Sequence, residues 1–466
     1  MMKFISFFLK FLITNILFNL SFVTSQFNPL KSGNETLNQL YNHTSNEKNL
    51  FFIFLNFRHG ARSPLVLKNG HNDILGGKWN YKAELTSEGI KQHYNIGKKN
   101  LGRYSTFINK EYDPKEIKIY STPFPRTIMS VISELLGFYG NITYDKNFSY
   151  SDIDLNEKDI EDINNKIIPP VQLFSYNELN HKFERTFKNH FECAYMGMQD
   201  KKNWEIPHDE IDSLIKNFND EFSDIIEKEF KTINLDLLKT PRYFDAFCDV
   251  FVSLYFDKDN NYYIIEKLSK YGKSIDKMKE MCDDFLYKQF IYIRNGGISE
   301  KNPFISISPI IKNILHWMKE RADKNNNFAA EYDEPKFVIY SGHDSTLFQM
   351  QSFLKTCFNI EVEKTEFAAT QLMEVRKYGN QFYVEVYYND RLKMNATLPE
   401  FEKQIKKNVF SENQINNICY DEINYSYIYF LYIIIVFLII SLFYEFYKIY
   451  SENRTSGDSL KVVQIA

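Results

Sequence analysis

The chain has 466 residues and a formal net charge of −4, long enough for one large domain with a second or inserted one. So small a charge excludes a whole-molecule field that gathers nucleic acid, and no nucleic-acid partner is expected. Aromatic residues make up 17% of the sequence, alongside abundant Asn, Lys and Ile, which reads as compositional bias and not as a stacking site.

Residues Met1 to Val23 carry Lys3 and then an apolar stretch interrupted once by Lys10, ending at Val23-Thr24-Ser25 before Gln26. The pattern predicts a secretory signal peptide over residues 1–25. An uncleaved N-terminal anchor is the alternative, because the stretch is long and lacks an A-x-A site. Residues 26–48 are polar, without periodicity, and read as a loose leader. N-x-S/T sequons at Asn34, Asn42, Asn141, Asn147, Asn395 and Asn424 agree with a luminal or extracellular body over residues 26–424.

Leu50 to Phe57 is a nearly continuous apolar run, the pattern of a strand buried on both faces. Thr86 to Leu101 turns helical, with Thr86 as cap and Ile90, His93, Tyr94, Gly97 and Leu101 near one face. Ile117 to Tyr120 predicts a short strand and Arg126 to Phe138 an amphipathic helix, so this part reads as an α/β layer. From about 150 to 300 the chain becomes rich in Asp, Glu, Lys and Asn, with helical stretches at Ile211–Phe230 and Asp245–Phe256; it reads as a mostly helical insertion. The α/β pattern then resumes. Ser308 with Pro309 predicts a helix start running to about Lys324. A strand at Phe337–Ser341, a helix at Ser345–Cys357 and closing strands at Gln371–Arg376 and Phe382–Tyr388 follow.

Tyr425 to Tyr444 contains no charged residue and is long enough to cross a hydrocarbon core of about 30 Å. Tyrosines crowd both ends, and Lys448, Arg454 and Lys461 follow it, which places residues 445–466 in the cytosol. A polar tail after the run speaks against a GPI signal. The reading is a single-pass type I membrane protein of the secretory pathway. No clean tyrosine-based sorting signal chooses between lysosome, cell surface and release. Five cysteines, Cys193, Cys248, Cys282, Cys357 and Cys419, allow two disulfides and one odd thiol in that compartment. None has the spacing of a zinc ligand set.

Two places share one construction, a buried strand with His and Gly side by side at its carboxyl end. They are Arg58-His59-Gly60-Ala61-Arg62 and Ser341-Gly342-His343-Asp344. Ligands of open α/β sheets bind just outside those strand ends. A third segment, Ser121-Thr122-Pro123-Phe124-Pro125-Arg126-Thr127, also joins a strand to a helix. Together they supply two histidines, three arginines and a carboxylate. Arginine forks match phosphate oxygens, a neutral imidazole is a nucleophile, and a carboxylic acid can protonate a leaving alkoxide. The other histidines have no ligand spacing and read as structural or solvated.

These motifs, with Leu85-Thr86-x-x-Gly89-x-x-Gln92 and the late Val384 to Tyr388 stretch, resemble the histidine acid phosphatases over about Asn49 to Arg391. The resemblance implies a phosphoglycerate-mutase-like α/β core with an inserted helical cap and a phosphate monoester substrate. His59 would be the nucleophile that becomes a phosphohistidine and Asp344 the general acid. Arg58, Arg62, Arg126 and His343 would bind phosphate, and neither metal nor cofactor would be required. Similar members are often dimers, so a homodimer is carried as an expectation. Pro123 and Pro125 stand where the family often has acidic residues, and Ala61 where some members have Asp. The resemblance also suggests the pairs Cys248–Cys357 and Cys193–Cys419. The alternatives are a catalytically inactive receptor, a phytase or lipid-phosphate phosphatase, and, against the membrane anchor, a mutase.

Overall fold

The computed structural model describes residues 49–66, 74–140, 171–173, 193–257, 261–294, 301–324 and 334–460. The expected signal peptide, the leader and the sequons at Asn34, Asn42, Asn141 and Asn147 lie outside the described residues.

The apolar run near the start forms β1 (Leu50–Arg58), the centre of a seven-stranded sheet. Its partners are β2 (Ile117–Ser121), β3 (Gln172–Leu173), β4 (Phe337–Gly342), β5 (Thr370–Tyr378), β6 (Gln381–Tyr388) and β7 (Arg391–Thr397). The spatial order is β3-β2-β4-β1-β5-β6-β7. The first four run parallel and the last three add antiparallel, so β1 is covered on both edges and both faces. The register aligns the strand ends. Arg58 pairs with Gly342 across β1 and β4, and Ser121 pairs with Ser341 across β2 and β4. The three loops carrying the sequence motifs therefore leave the sheet at one level.

One face of the sheet is covered by α1 (Ser87–Tyr104) and α2 (Pro125–Tyr139). Thr86 caps α1 as its sequence predicts, accepting the Gly89 N–H at 3.2 Å. The buried stripe, however, is Gly89, His93, Gly97, Asn100 and Tyr104, whereas Ile90 and Tyr94 are exposed. Close backbone contact explains the shift. A Cβ on Gly97 would lie 1.9 Å from the Glu134 carbonyl oxygen, and one on Gly137 would lie 2.1 Å from that of Tyr94. Small residues, not large apolar ones, bring these two helices together.

Between β3 and residue 294 the described residues are mostly helical. They form α3 (Ala194–Glu205), α4 (Asp209–Glu229), α5 (Leu235–Leu238), α6 (Pro241–Phe256), α7 (Tyr262–Ser269) and α8 (Ile275–Tyr292). Helices α4, α6 and α8 bury Phe218, Phe222, Phe244, Phe247, Phe251 and Phe285 in a second core, which Ala61, Leu75, Trp79 and Phe367 join from the loops outside the cap. Cys248 of α6 is bonded to Cys282 of α8. This corrects the expected Cys248–Cys357 pair. Cys357 is a buried free thiol in the core beneath the sheet, a different layer from the one that holds Cys248. The expected Cys193–Cys419 disulfide is present.

The second face of the sheet is covered by α9 (Asn302–Lys324), α10 (Asp344–Phe358) and α11 (Leu398–Asn408). Helix α9 starts earlier than the Ser308-Pro309 signal predicts, and Pro309 lies inside it. The Ser308 hydroxyl instead accepts the Phe410 N–H at 2.8 Å. A long C-terminal helix, α12 (Glu412–Leu460), ends the described chain. Its stretch Tyr429–Lys448 has no buried residue, and it is long and apolar enough to cross a membrane.

Candidate active site

The aligned ends of β1, β2 and β4 place His59, Arg58, Arg62, Arg126, His343 and Asp344 around one point. The loop after β1 is fixed from below. The Gly60 N–H donates to Ser130 Oγ at 3.1 Å, and the Ala61 N–H donates to Gln92 Oε1 at 2.9 Å. The His93 ring bonds the Arg58 carbonyl at 3.1 Å through Nε2 and meets Glu134 at 3.3 Å through Nδ1. A Cβ on Gly60 would lie 2.5 Å from the Gly89 carbonyl oxygen, so this turn and the start of α1 can touch only as glycines.

His59 is 2% exposed, and its ring centre is 5.5 Å from that of His343. Its Nδ1 lies 2.9 Å from the Gly60 carbonyl oxygen. A carbonyl only accepts, so Nδ1 carries the proton and Nε2 keeps its lone pair. Burial, and then Arg58, Arg62, His343 and Arg126, hold the pKa of His59 well below the usual value. The same surroundings therefore favour the neutral imidazole over the charged one.

Arg58 donates to the Thr365 carbonyl at 2.6 Å and pairs with Asp344 at 3.0 Å. Arg62 donates to the Ser63 carbonyl at 3.0 Å and to Asp249 at 2.6 Å. Arg126 lies over the Phe124 ring at 4.5 Å; burial, and then Arg62 and Arg58, lower its pKa to about 10 against the pull of Asp344. The Nε atoms of Arg58, Arg62 and Arg126 are all buried and without a hydrogen-bond partner. Three buried donors left open in one place call for an anion.

His343 follows β4 as the N-cap residue of α10, and its Nε2 lies 3.0 Å from Thr122 Oγ1. Burial and Arg126, with lesser help from Arg58 and Arg62, push its pKa down to about 3. Asp344 opens α10. Burial raises the pKa of its carboxyl, but Arg58, Arg294, His343 and Arg62 outweigh burial and bring it to about 2. Each of the two carboxylates here, Asp344 and Asp249, is paired with an arginine. Among the described residues no cluster of three or more His, Cys, Asp or Glu could hold a metal ion. The donor set suits a phosphate-like dianion.

The structure adds residues that the motifs do not reveal. Phe367 lies under Arg58 at 4.2 Å and Arg62 at 5.6 Å, and also meets His59. Asp249 of α6 holds Arg62 and the Leu65 N–H. Arg294, just after α8, bonds Asp245 and acts on the charge of Asp344. A signal for the acidic pair was present. Asp245 and Asp249 stand four apart in the otherwise apolar stretch from Tyr243 to Phe256, so both point from one helix face toward a cation. For Phe367 there was no signal, since its role depends on loop 364–369 folding back over β1.

A family model for the histidine phosphatase superfamily (branch 2) matches residues 49–391. This chain belongs to that superfamily. Among its relatives is the lysosomal acid phosphatase of Rattus norvegicus, 24% identical over 349 residues, covering 74% of this chain and 71% of that protein. Another is the prostatic acid phosphatase of Bos taurus, 23% identical over 362 residues, covering 76% and 81%. Of solved structures, the phytase from Citrobacter braakii superposes with a TM-score of 0.51 at 12% identity, covering 78% of this chain and 98% of that one. That likeness supports the histidine phosphatase fold, and at that identity nothing about substrate.

Proposed function

We propose that this protein is an acid phosphatase that hydrolyses phosphate monoesters through a phosphohistidine, anchored to a membrane of the secretory pathway by α12. The observation that carries the reading is the unprotonated Nε2 of His59 beside three arginines, Arg58 and Arg62 buried and Arg126 partly so, whose buried Nε donors have no partner. The relatives are acid phosphatases, which supports the same chemistry.

In this reading His59 Nε2 attacks phosphorus while Arg58, Arg62, Arg126 and His343 hold the non-bridging oxygens as charge shifts in the transition state. The bond from phosphorus to the ester oxygen breaks, and Asp344 gives that oxygen a proton. Asp344 then takes a proton from the water that splits the phosphohistidine. With its pKa at about 2, Asp344 is ionised in the empty site. Its proton therefore arrives with the substrate, whose monoanion loses it only near pH 6. A bound anion also draws on Arg58 and adds negative charge beside Asp344, which favours the protonated acid. Acid activity follows from the substrate's proton together with a His59 whose neutral form is favoured by burial and the surrounding arginines.

The test is hydrolysis of p-nitrophenyl phosphate by the detergent-solubilised full chain across pH, beside His59→Ala. An acidic optimum lost in the variant, with an acid-labile phosphoryl adduct trapped only on the parent protein, supports the assignment. Equal activity in His59→Ala, or an optimum above neutrality, ends it.

A further inference from the structure

The C-terminal helix does not hang from a free stalk. Its first turns pack into an apolar cluster of Ile415, Cys419, Cys193, Met196 and Ile305. The disulfide between Cys193 and Cys419 then ties it to the N-cap residue of α3, the first described helix of the cap. From Cys419 to Tyr429, the start of the membrane-length stretch, is roughly 15 Å of helix at 1.5 Å per residue. Whatever the tilt of the helix, the part of the fold at that disulfide lies close to the bilayer.

That part is the site-bearing end. The cap meets the strand ends through Asp249 on Arg62, Phe256 against Phe367 at 5.6 Å, and Arg294 acting on Asp344. Helix α9 begins shortly after Arg294 and finishes ahead of β4, so it runs from the active-site end of the sheet to the opposite end. Ile305, in its first turn, is the α9 residue in the anchor cluster. The membrane helix therefore leaves the body from the end where the motif loops converge.

The mouth of the site also carries exposed apolar side chains. Leu65 and Val66, just past Arg62, are 40% and 60% exposed, and Phe124, beside His343 and Arg126, is 38% exposed. Beyond Phe256 lies a cleft lined by Glu88, Tyr255, Phe256, Asn261, Ile265, Ile275 and Asp276. Its Glu88 and Asp276 carboxylates disfavour a leaving group bearing further phosphates, and the neighbouring Lys279 is already paired with Asp283 and Glu366. Tyr255, Phe256, Ile265 and Ile275 give the cleft apolar walls. An apolar rim around a phosphate site is the surface expected to meet lipid.

We propose that the anchor holds the catalytic mouth toward its own bilayer, and that the substrate is a lipid phosphate monoester in that same membrane. The proposal rests on the phosphatase reading above. Attack by His59 breaks the bond between phosphorus and the glycerol oxygen; Asp344 protonates that oxygen, a diacylglycerol stays in the bilayer, and water releases inorganic phosphate.

The experiment reconstitutes the full chain into phosphatidylcholine vesicles containing phosphatidic acid. It compares phosphate release with that from the same lipid supplied in separate vesicles, with p-nitrophenyl phosphate as the soluble control. Sharing a bilayer raises the effective concentration, so a rate advantage of about 100-fold or more is expected for lipid in the same vesicle. Val66→Ser should lower lipid turnover several-fold, on the order of one buried side chain's transfer energy, and leave the soluble substrate unchanged. Equal rates from same and separate vesicles, with the soluble control active, overturn the proposal and leave the phosphatase reading standing. Turnover of a bilayer-anchored phosphotyrosine peptide in place of the lipid overturns it too. A dead soluble control sinks both readings.

Discussion

Asp344 shows why residue identity and protonation state are separate questions. The motif predicts a general acid, yet Arg58, Arg294 and Arg62, with His343, bring the pKa of the carboxyl down to about 2, so it is ionised in the empty site. Asp344→Asn should therefore slow alkyl phosphates by about 10²–10⁴-fold in kcat and affect p-nitrophenyl phosphate far less, because a good leaving group needs little protonation. Steady-state kinetics on the two substrates check this. His343 gives a second expectation. Its folded pKa of about 3 lies below the unfolded value of about 6.5, so the unfolded chain binds the proton first. Apoprotein stability should then fall as pH drops from about 6.5 toward 3 on this account. A bound anion favours the protonated ring, so inorganic phosphate should raise Tm more at pH 5 than at pH 7.5. A larger Tm gain at the higher pH would contradict the assigned shift.

Between elements, contact geometry decides more than hydrophobicity does. Helices α1 and α2 meet through Gly97 and Gly137, and the same contact carries the His93 and Glu134 side chains that support the Arg58 carbonyl. Gly97→Val should cost about 1–3 kcal/mol by overpacking and shift that support, visible as a lower Tm and a lower kcat. In the cap, Cys248 and Cys282 link α6 to α8, the pair of helices that carries Asp249 on one side and leads to Arg294 on the other. Replacing both cysteines by Ser should cost about 2–4 kcal/mol. Peptide mapping under non-reducing conditions should find Cys357 alkylatable only after unfolding, since it is a buried free thiol whose pKa burial pushes up to about 12. A Cys248–Cys357 peptide would refute the pairing.

At the scale of the molecule, the Cys193–Cys419 bond and its apolar cluster tie the cap to the C-terminal helix that carries the membrane-length stretch. The full chain should remain in the membrane pellet after alkaline carbonate extraction, and removal of residues 429–466 should release it. Recovery of the full chain in the soluble fraction would remove the anchor from the reading.

The sequence by itself determined the central strand, the α/β order and the set of groups at the strand ends. Each depends on local patterning: an apolar run that only a buried strand accommodates, and His, Gly and Arg placed where such a strand must stop. It also marked the membrane-length helix, because a charge-free run is legible without any partner. Only the tertiary structure decided which side of α1 is buried, where α9 begins, and which cysteine Cys248 meets. It alone brought Phe367, Asp249 and Arg294 to the site. Those facts depend on layers packing across long separations in the chain, where a contact distance and not a neighbour in sequence sets the energy. The ionised state of Asp344 belongs with them, since it is fixed by four charged or ionisable neighbours drawn from the β1 end, the β4 end and the cap.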